Sequence, residues 1–157
     1  MEVESNKPMF SLVDGKEQMV LNVDLPFHYQ GKEYVIPAGF VFDGASIPRF
    51  AWSFIGHPFD EHLRIGACIH DWIFTTHCLG FTNANHIFMR RIRADGERCI
   101  NVKLIFAAVA GFGYPAYKQL TIEKEDRLAL IRNILKNRED KEHIEMQIKI
   151  KYYARLK

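Results

Sequence analysis

The chain has 157 residues, 48% apolar and 25% charged, with 21 basic side chains against 19 acidic. That is the size and composition of one ordinary soluble domain able to bury its own core. The formal net charge of +2 argues against a nucleic-acid binder, which needs a strongly basic domain, and the longest apolar stretch, near residues 104–114, falls short of the ~20 residues that cross a bilayer.

The opening MEVESNKPMF lacks the basic-then-apolar order of a secretory signal. Residues 10–13 and 19–21 flank Asp14-Gly15, a good turn pair, and read as a hairpin. A second hairpin joins 27–29 to 34–36 through Gln30-Gly31-Lys32. Pro26 and Pro37 mark strand starts or edges, because proline has no N–H for a ladder. Phe40-Val41-Phe42 is one more short strand, ending at Asp43-Gly44.

From there the pattern turns helical. Pro48 suits a first helical position, with Ser46 or Asp43 nearby as cap, and predicts a short helix over 49–55. Asp60 is the expected N-cap of a second helix that stops at Gly80. Its apolar residues Leu63, Cys68, Ile69, Trp72, Ile73 and Phe74 crowd together, as in a helix packed on several sides. Thr82 or Asn83 caps a third helix, closed by Asp95-Gly96, with Ile87, Phe88 and Ile92 inward and Arg90, Arg91 and Arg93 outward. A fourth, very apolar helix over about 101–117, with small residues that allow close helix approach, predicts the central core helix.

Beyond Leu120 no Gly or Pro occurs. Leu128, Ile131, Ile134 and Leu135 share a helical face. Ile144, Met146, Ile148, Ile150 and Tyr152 alternate as in a strand, yet Ile144, Ile148 and Tyr152 also make a helical stripe, and Glu, Lys, Gln and Met favour helix. The expectation is one long terminal helix, with a return strand as the alternative. The three cysteines, Cys68, Cys78 and Cys99, form no C-x-x-C pair. Cys68 and Cys78 would lie ~15 Å apart on one helix, too far to bridge, so they read as buried thiols in a reducing compartment.

The residues whose chemistry exceeds what a core needs centre on His70-Asp71. Adjacent helical residues point about 100° apart, so the two can do different jobs from one helix. The imidazole can act as general base on a water. The carboxylate can face a loop and hold a hard cation such as calcium, which would stabilise an oxyanion on an ester. A third group must accept the other imidazole N–H and fix the tautomer. Asp43, Ser46 and Arg49 suit either a wall of such a site or helix capping and an ion pair. His57, just before Pro58, suits a turn. The seven histidines show no H-E-x-x-H and no zinc-like spacing, and Ser46 lacks the G-x-S-x-G turn of a nucleophile.

His70-Asp71-Trp72-Ile73-Phe74 resembles the active-site helix of phospholipases A2, where H-D-x-x-Y supplies base, metal ligand and a supporting tyrosine. Pro58, Asp60, Arg64, Ala67 and Ala84-Asn85 loosely follow the viral form of that pattern. A resemblance over residues 10–117 is to a phage and prophage family known as domain of unknown function 1353. It rests on Asp43-Gly44-Ala45-Ser46-Ile47-Pro48-Arg49, Trp52, Pro58, His70-Asp71-Trp72-Ile73-Phe74 and Ala84-Asn85-His86-Ile87-Phe88. Two positions depart from these patterns. Phe74 stands for the tyrosine, and Asn85 for an aspartate.

The expected fold is α+β: a small antiparallel N-terminal sheet, then a body of four helices within residues 1–118, then a helical extension over 119–157. The resemblance implies a calcium-assisted acyl-ester hydrolase with His70 as base, Asn85 as its partner and Asp71 as metal ligand. Phe74, Asp43, Ser46, Arg49 and His57 then support the site or touch substrate. Membrane lipid or the cell envelope is the implied partner. The alternative is a non-catalytic phage virion or assembly protein, pairing with another protein or itself through the C-terminal helix. On either reading the chain is made in a host cytoplasm, and on the second it can end in the virion.

Overall fold

The computed structural model describes residues 9–44, 57, 60–96, 99–118 and 122–148, with side chains for all of these except 99–101 and 122–124. The predicted helix over 49–55, with Ser46 and Arg49, lies outside the described residues. Among the described residues the architecture is α+β as expected, with five short strands followed by five helices.

The strands are β1 (Phe10–Leu12), β2 (Met19–Leu21), β3 (Leu25–Tyr29), β4 (Lys32–Ile36) and β5 (Val41–Phe42). They form two antiparallel sheets, one in the order β1-β2-β5 and the other a β3-β4 ribbon. The ribbon turns through two residues only, since Tyr29 already pairs with Lys32. Gln30 and Gly31 both take positive φ, at 49° and 75°, the twist that a tight antiparallel hairpin requires. Along β3, Leu25 and Phe27 are buried while Pro26 and His28 are exposed, so one face of the ribbon enters the core.

The helices are α1 (Glu61–Thr76), α2 (Phe81–Ala94), α3 (Cys99–Lys118), α4 (Ile122–Leu135) and α5 (Lys141–Gln147). Asp60 stands at the N-cap of α1 as predicted, but its side chain makes no cap bond. It accepts instead from the His57 N–H at 3.0 Å, closing the preceding turn. Helix α1 ends three residues earlier than predicted. His77 takes the left-handed conformation (φ 54°) at its C-cap, and Gly80 serves as the extended N-cap of α2, ahead of the predicted Thr82 or Asn83.

The central helix is α1. From Leu63 to Thr76 nearly every residue is buried, including Trp72, Ile73 and Phe74. Its closest neighbour is α2, and Gly66 makes that approach possible. A Cβ there would stand 2.9 Å from both Ile92 Cγ2 and Phe88 Cδ2. Helix α3, predicted as the core, is peripheral. It packs chiefly on α2 and buries one stripe, Val102, Ile105 and Val109, while Leu104, Phe112 and Tyr114 remain exposed. Hydropathy summed around a helix measures what it could bury; the neighbours decide what it does bury.

The predicted long terminal helix is broken in two. Residues 136–140 leave the helical path, and Arg138 anchors them. Its guanidinium donates to both carboxylate oxygens of Asp24 at 2.8 and 2.6 Å and also pairs with Asp140. That break folds the extension back on the domain. Leu128, Ile131 and Leu135 of α4, Ile144 of α5 and Ile148 join the same core as the sheet and α1. Gln147 then accepts from the Val35 N–H at 3.0 Å and donates to the Glu33 carbonyl at 2.7 Å. One side-chain amide thus pairs with two backbone groups along β4, as a neighbouring strand would; the part of the alternative return strand beyond Ile148 lies outside the described residues.

Gly66→Ala sets two effects against each other. Replacing a mid-helix glycine favours α1 by ~1 kcal/mol, but overpacking a close helix contact costs ~1–3 kcal/mol. The contact should win, lowering the urea midpoint. An unchanged or raised midpoint would show that α1 and α2 can separate without penalty.

Candidate functional site

His70 and Asp71 lie in the most enclosed part of α1, and the 100° between them sends each to a different partner. His70 Nε2 meets Asn85 Oδ1 on α2 at 2.8 Å. The imidazole is 1% exposed. Its ring centroid lies 4.0 Å from that of Phe74, one turn along the same helix, and 5.2 Å from that of Phe88. The carbonyl of Asn85 accepts the Nε2–H, which leaves Nδ1 as the unprotonated nitrogen. Burial pulls the His70 pKa down from 6.5 to about 4, against the smaller upward pull of the Asn85 bond. The imidazole is therefore neutral at physiological pH and a weak base.

Asp71 turns towards the start of the chain after β5 and towards α4. Its Oδ2 accepts from the Asp43 N–H at 3.2 Å and from Arg127 Nη1 at 3.0 Å. Arg127 Nη2 reaches Asp43 Oδ2 at 2.6 Å. One guanidinium thus bridges two carboxylates that would otherwise repel. Burial, then the Asp43 charge, push the Asp71 carboxyl above its ordinary value, against the pull of Arg127. The side chains of Asp71 and Arg127 are both largely buried, so the pair is held in a low-dielectric setting where a lone charge would be costly.

This arrangement bears directly on calcium. The expected ligand is Asp71, with Asp43 close by. The oxygens these two residues turn towards each other are occupied by Arg127, and among the described residues no three His, Cys, Asp or Glu side chains gather as metal ligands. With the guanidinium in place, these residues do not fit a calcium ion, which takes six to eight oxygen ligands.

The remaining sequence-predicted residues divide cleanly. Phe74 and Asn85 are both brought to His70, and Asp43 to Asp71. His57 is exposed and lies ahead of α1, in the turn that Asp60 closes. Ser46 and Arg49 lie outside the described residues. Arg127 is the residue that sequence reasoning missed. It is 56 positions from Asp71 in a helix crowded with charges, and nothing in its local pattern sets it apart. Of the cysteines, Cys68 is buried, and burial holds its thiol well above its ordinary pKa, which makes it unreactive. Two clefts of about 510 and 390 Å³ lie between β4 and α5 and between β3 and helices α1 and α2; neither is lined by His70 or Asp71.

With this geometry in view, comparison with known proteins places the chain in a family. It belongs to the family described as "Protein of unknown function (DUF1353)", whose model matches residues 19–109. The matched region contains all the motif residues that point to this family, His70 and Asn85 among them. Two relatives are uncharacterized proteins of Sinorhizobium fredii (strain NBRC 101917 / NGR234). The protein y4jT is 29% identical over 112 residues, covering 69% of this chain and 33% of the relative. The protein y4iH is 35% identical over 71 residues, covering 45% and 30%. The matched regions thus span about a third of the length of these relatives. No solved structure matches the chain.

Two measurements test the interior network. The folded state favours neutral His70, so as pH falls the unfolded imidazole takes up a proton first. Stability should therefore be lost between about pH 6.5 and about pH 4, by on the order of 3 kcal/mol. In His70→Leu that portion of the pH dependence should vanish from urea unfolding curves; a wild-type slope would sink the assignment. Arg127→Ala leaves a buried carboxylate without its cation and should cost ~3 kcal/mol or more. Adding Asp71→Asn should recover part of that loss, whereas additive losses would show the two residues uncoupled.

Proposed function

We propose that this chain is a non-catalytic member of its family, a structural or assembly component, of a phage or prophage particle as its motifs suggest. The observation that supports this reading is the Arg127 guanidinium seated across Asp71 and Asp43. It satisfies with an internal cation the carboxylates that a calcium-assisted hydrolase would keep for its metal. The surroundings of His70 support it further. The base is enclosed, its pKa is low, its partner is a carboxamide with no charge to stabilise an imidazolium, and Phe74 offers it no hydroxyl. Loss of the corresponding carboxylate from a catalytic triad can lower the rate by about 10⁴.

A second reading is an acyl-ester hydrolase of phospholipase A2 type, and one observation favours it. The Asn85 carbonyl fixes the tautomer that leaves Nδ1 of His70 as the acceptor, so a water held there could pass its proton to the imidazole as it attacks an ester.

The two readings part in one assay. Purified protein is given mixed phospholipid vesicles with calcium or with a chelator, beside His70→Ala and Phe74→Tyr/Asn85→Asp. On the first reading fatty-acid release stays at the level of His70→Ala, and calcium leaves the melting temperature unchanged. Calcium-dependent release that His70→Ala abolishes would overturn it in favour of the hydrolase. Release gained only by Phe74→Tyr/Asn85→Asp would identify an enzyme silenced at those two positions, and so support the non-catalytic reading.

A further inference from the structure

Helix α3 presents an anomaly that no part of the His70 network explains. It is strongly apolar in composition, yet Leu104 is 49% exposed, Tyr114 46% and Phe112 63%. Ala107 and Gly111 are exposed between them, and a Cβ built on Gly111 would meet nothing within 4 Å. Leu104, Ala107, Gly111, Tyr114 and Lys118 recur at alternating intervals of three and four, so they form one stripe along the outer side of the helix. An apolar stripe of this length on a surface marks an interaction face.

Charge narrows what can cover it. The twenty residues of α3 include no Asp or Glu, and exposed Lys103 and Lys118 stand near its two ends. Helix α2 beside it also has no acidic residue and exposes Arg90 and Arg93. Residues 81–118 together hold six basic side chains against two acidic, a net charge of +4 where the whole chain has +2. The hairpin that bears the apolar stripe thus carries a net positive charge, as do residues 119–157 with ten basic side chains against seven acidic, while residues 1–80 are net negative. A second copy is a poor occupant. Parallel pairing of two α3 helices sets lysine on lysine, and antiparallel pairing sets Lys118 of each copy near Lys103 of the other, with no carboxylate on either helix to compensate.

We propose that α3 docks on an anionic bilayer surface. The helix lies in the plane of the interface, with Leu104 and Tyr114 entering the boundary between headgroups and acyl chains. Lys103 and Lys118 extend to lipid phosphates, and the α2 arginines add long-range attraction. No helix among the described residues is long and apolar enough to cross a membrane, which fits a helix that lies on the surface. This inference stands apart from the reading of His70, since the stripe and that site share no residue.

Flotation with vesicles of phosphatidylcholine alone, or mixed with phosphatidylglycerol, tests it. The protein should float with the mixed vesicles and not the neutral ones, and added salt should release it. Each lysine charge removed, in Lys103→Gln and Lys118→Gln, should weaken binding about fivefold. Leu104→Ser should weaken it as well, and these exposed substitutions should leave the melting temperature in place. Failure to float with anionic vesicles would overturn the proposal, as would unchanged binding in all three variants. So would a lipid-free dimer that Leu104→Ser dissociates, which would assign the face to a second copy.

Discussion

Once α1 is enclosed on nearly every side, none of its polar atoms can be left to water. A buried polar group without a partner costs about 1–3 kcal/mol, and a buried charge costs more. His70 and Asp71 are neighbours on this helix and point in different directions, so each needs a partner on a different element. The His70 bond to Asn85 ties α1 to α2. The bonds from Asp71 tie it to the end of β5 through Asp43 and to α4 through Arg127. The pairing demanded by two adjacent side chains thereby holds sheet, hairpin and C-terminal extension to one helix. The indole N–H of Trp72 is buried with no acceptor among the described residues.

The same burial governs what chemistry is within reach. A general base works best with its pKa near the working pH and a path to water. Enclosure between Phe74 and Phe88 lowers the basicity of His70 and seals it, and a carboxamide partner cannot offset that. Asp71 meets a related constraint. A buried carboxylate beside a second one needs a cation, and the chain supplies its own. A guanidinium offers a fork of donors matched to carboxylate oxygens, so it satisfies the acidic pair without a metal.

Much of the fold was legible because local chemistry dictated it. Asp14-Gly15 and Gln30-Gly31-Lys32 marked both hairpin turns, the second one residue too long because Lys32 already pairs with Tyr29. The crowding of apolar residues around Trp72 marked a helix buried on several sides, and Asp60 marked its start. Within the candidate site, Phe74 and Asn85 were legible from motif spacing, and both do stand at His70. The boundary at Gly80 was misplaced because His77, not glycine, takes the left-handed cap, a conformation few non-glycine residues adopt. The single terminal helix was also wrong. Continuous helical propensity across residues 136–140 gave no warning that Arg138 would be drawn aside by Asp24, 114 positions away.

The amino-acid sequence by itself determined the α+β class, the strand turns, the family and the placing of a histidine next to an aspartate on one buried helix. These follow from periodicity, turn chemistry and motif spacing, all of which act over a few residues. Tertiary structure alone decided that α1 rather than α3 is central, that Arg127 neutralises the acidic pair, and that an apolar face remains on the outside of a basic hairpin. Each depends on which side of an element has a neighbour, and that is set by contacts between residues far apart in the chain.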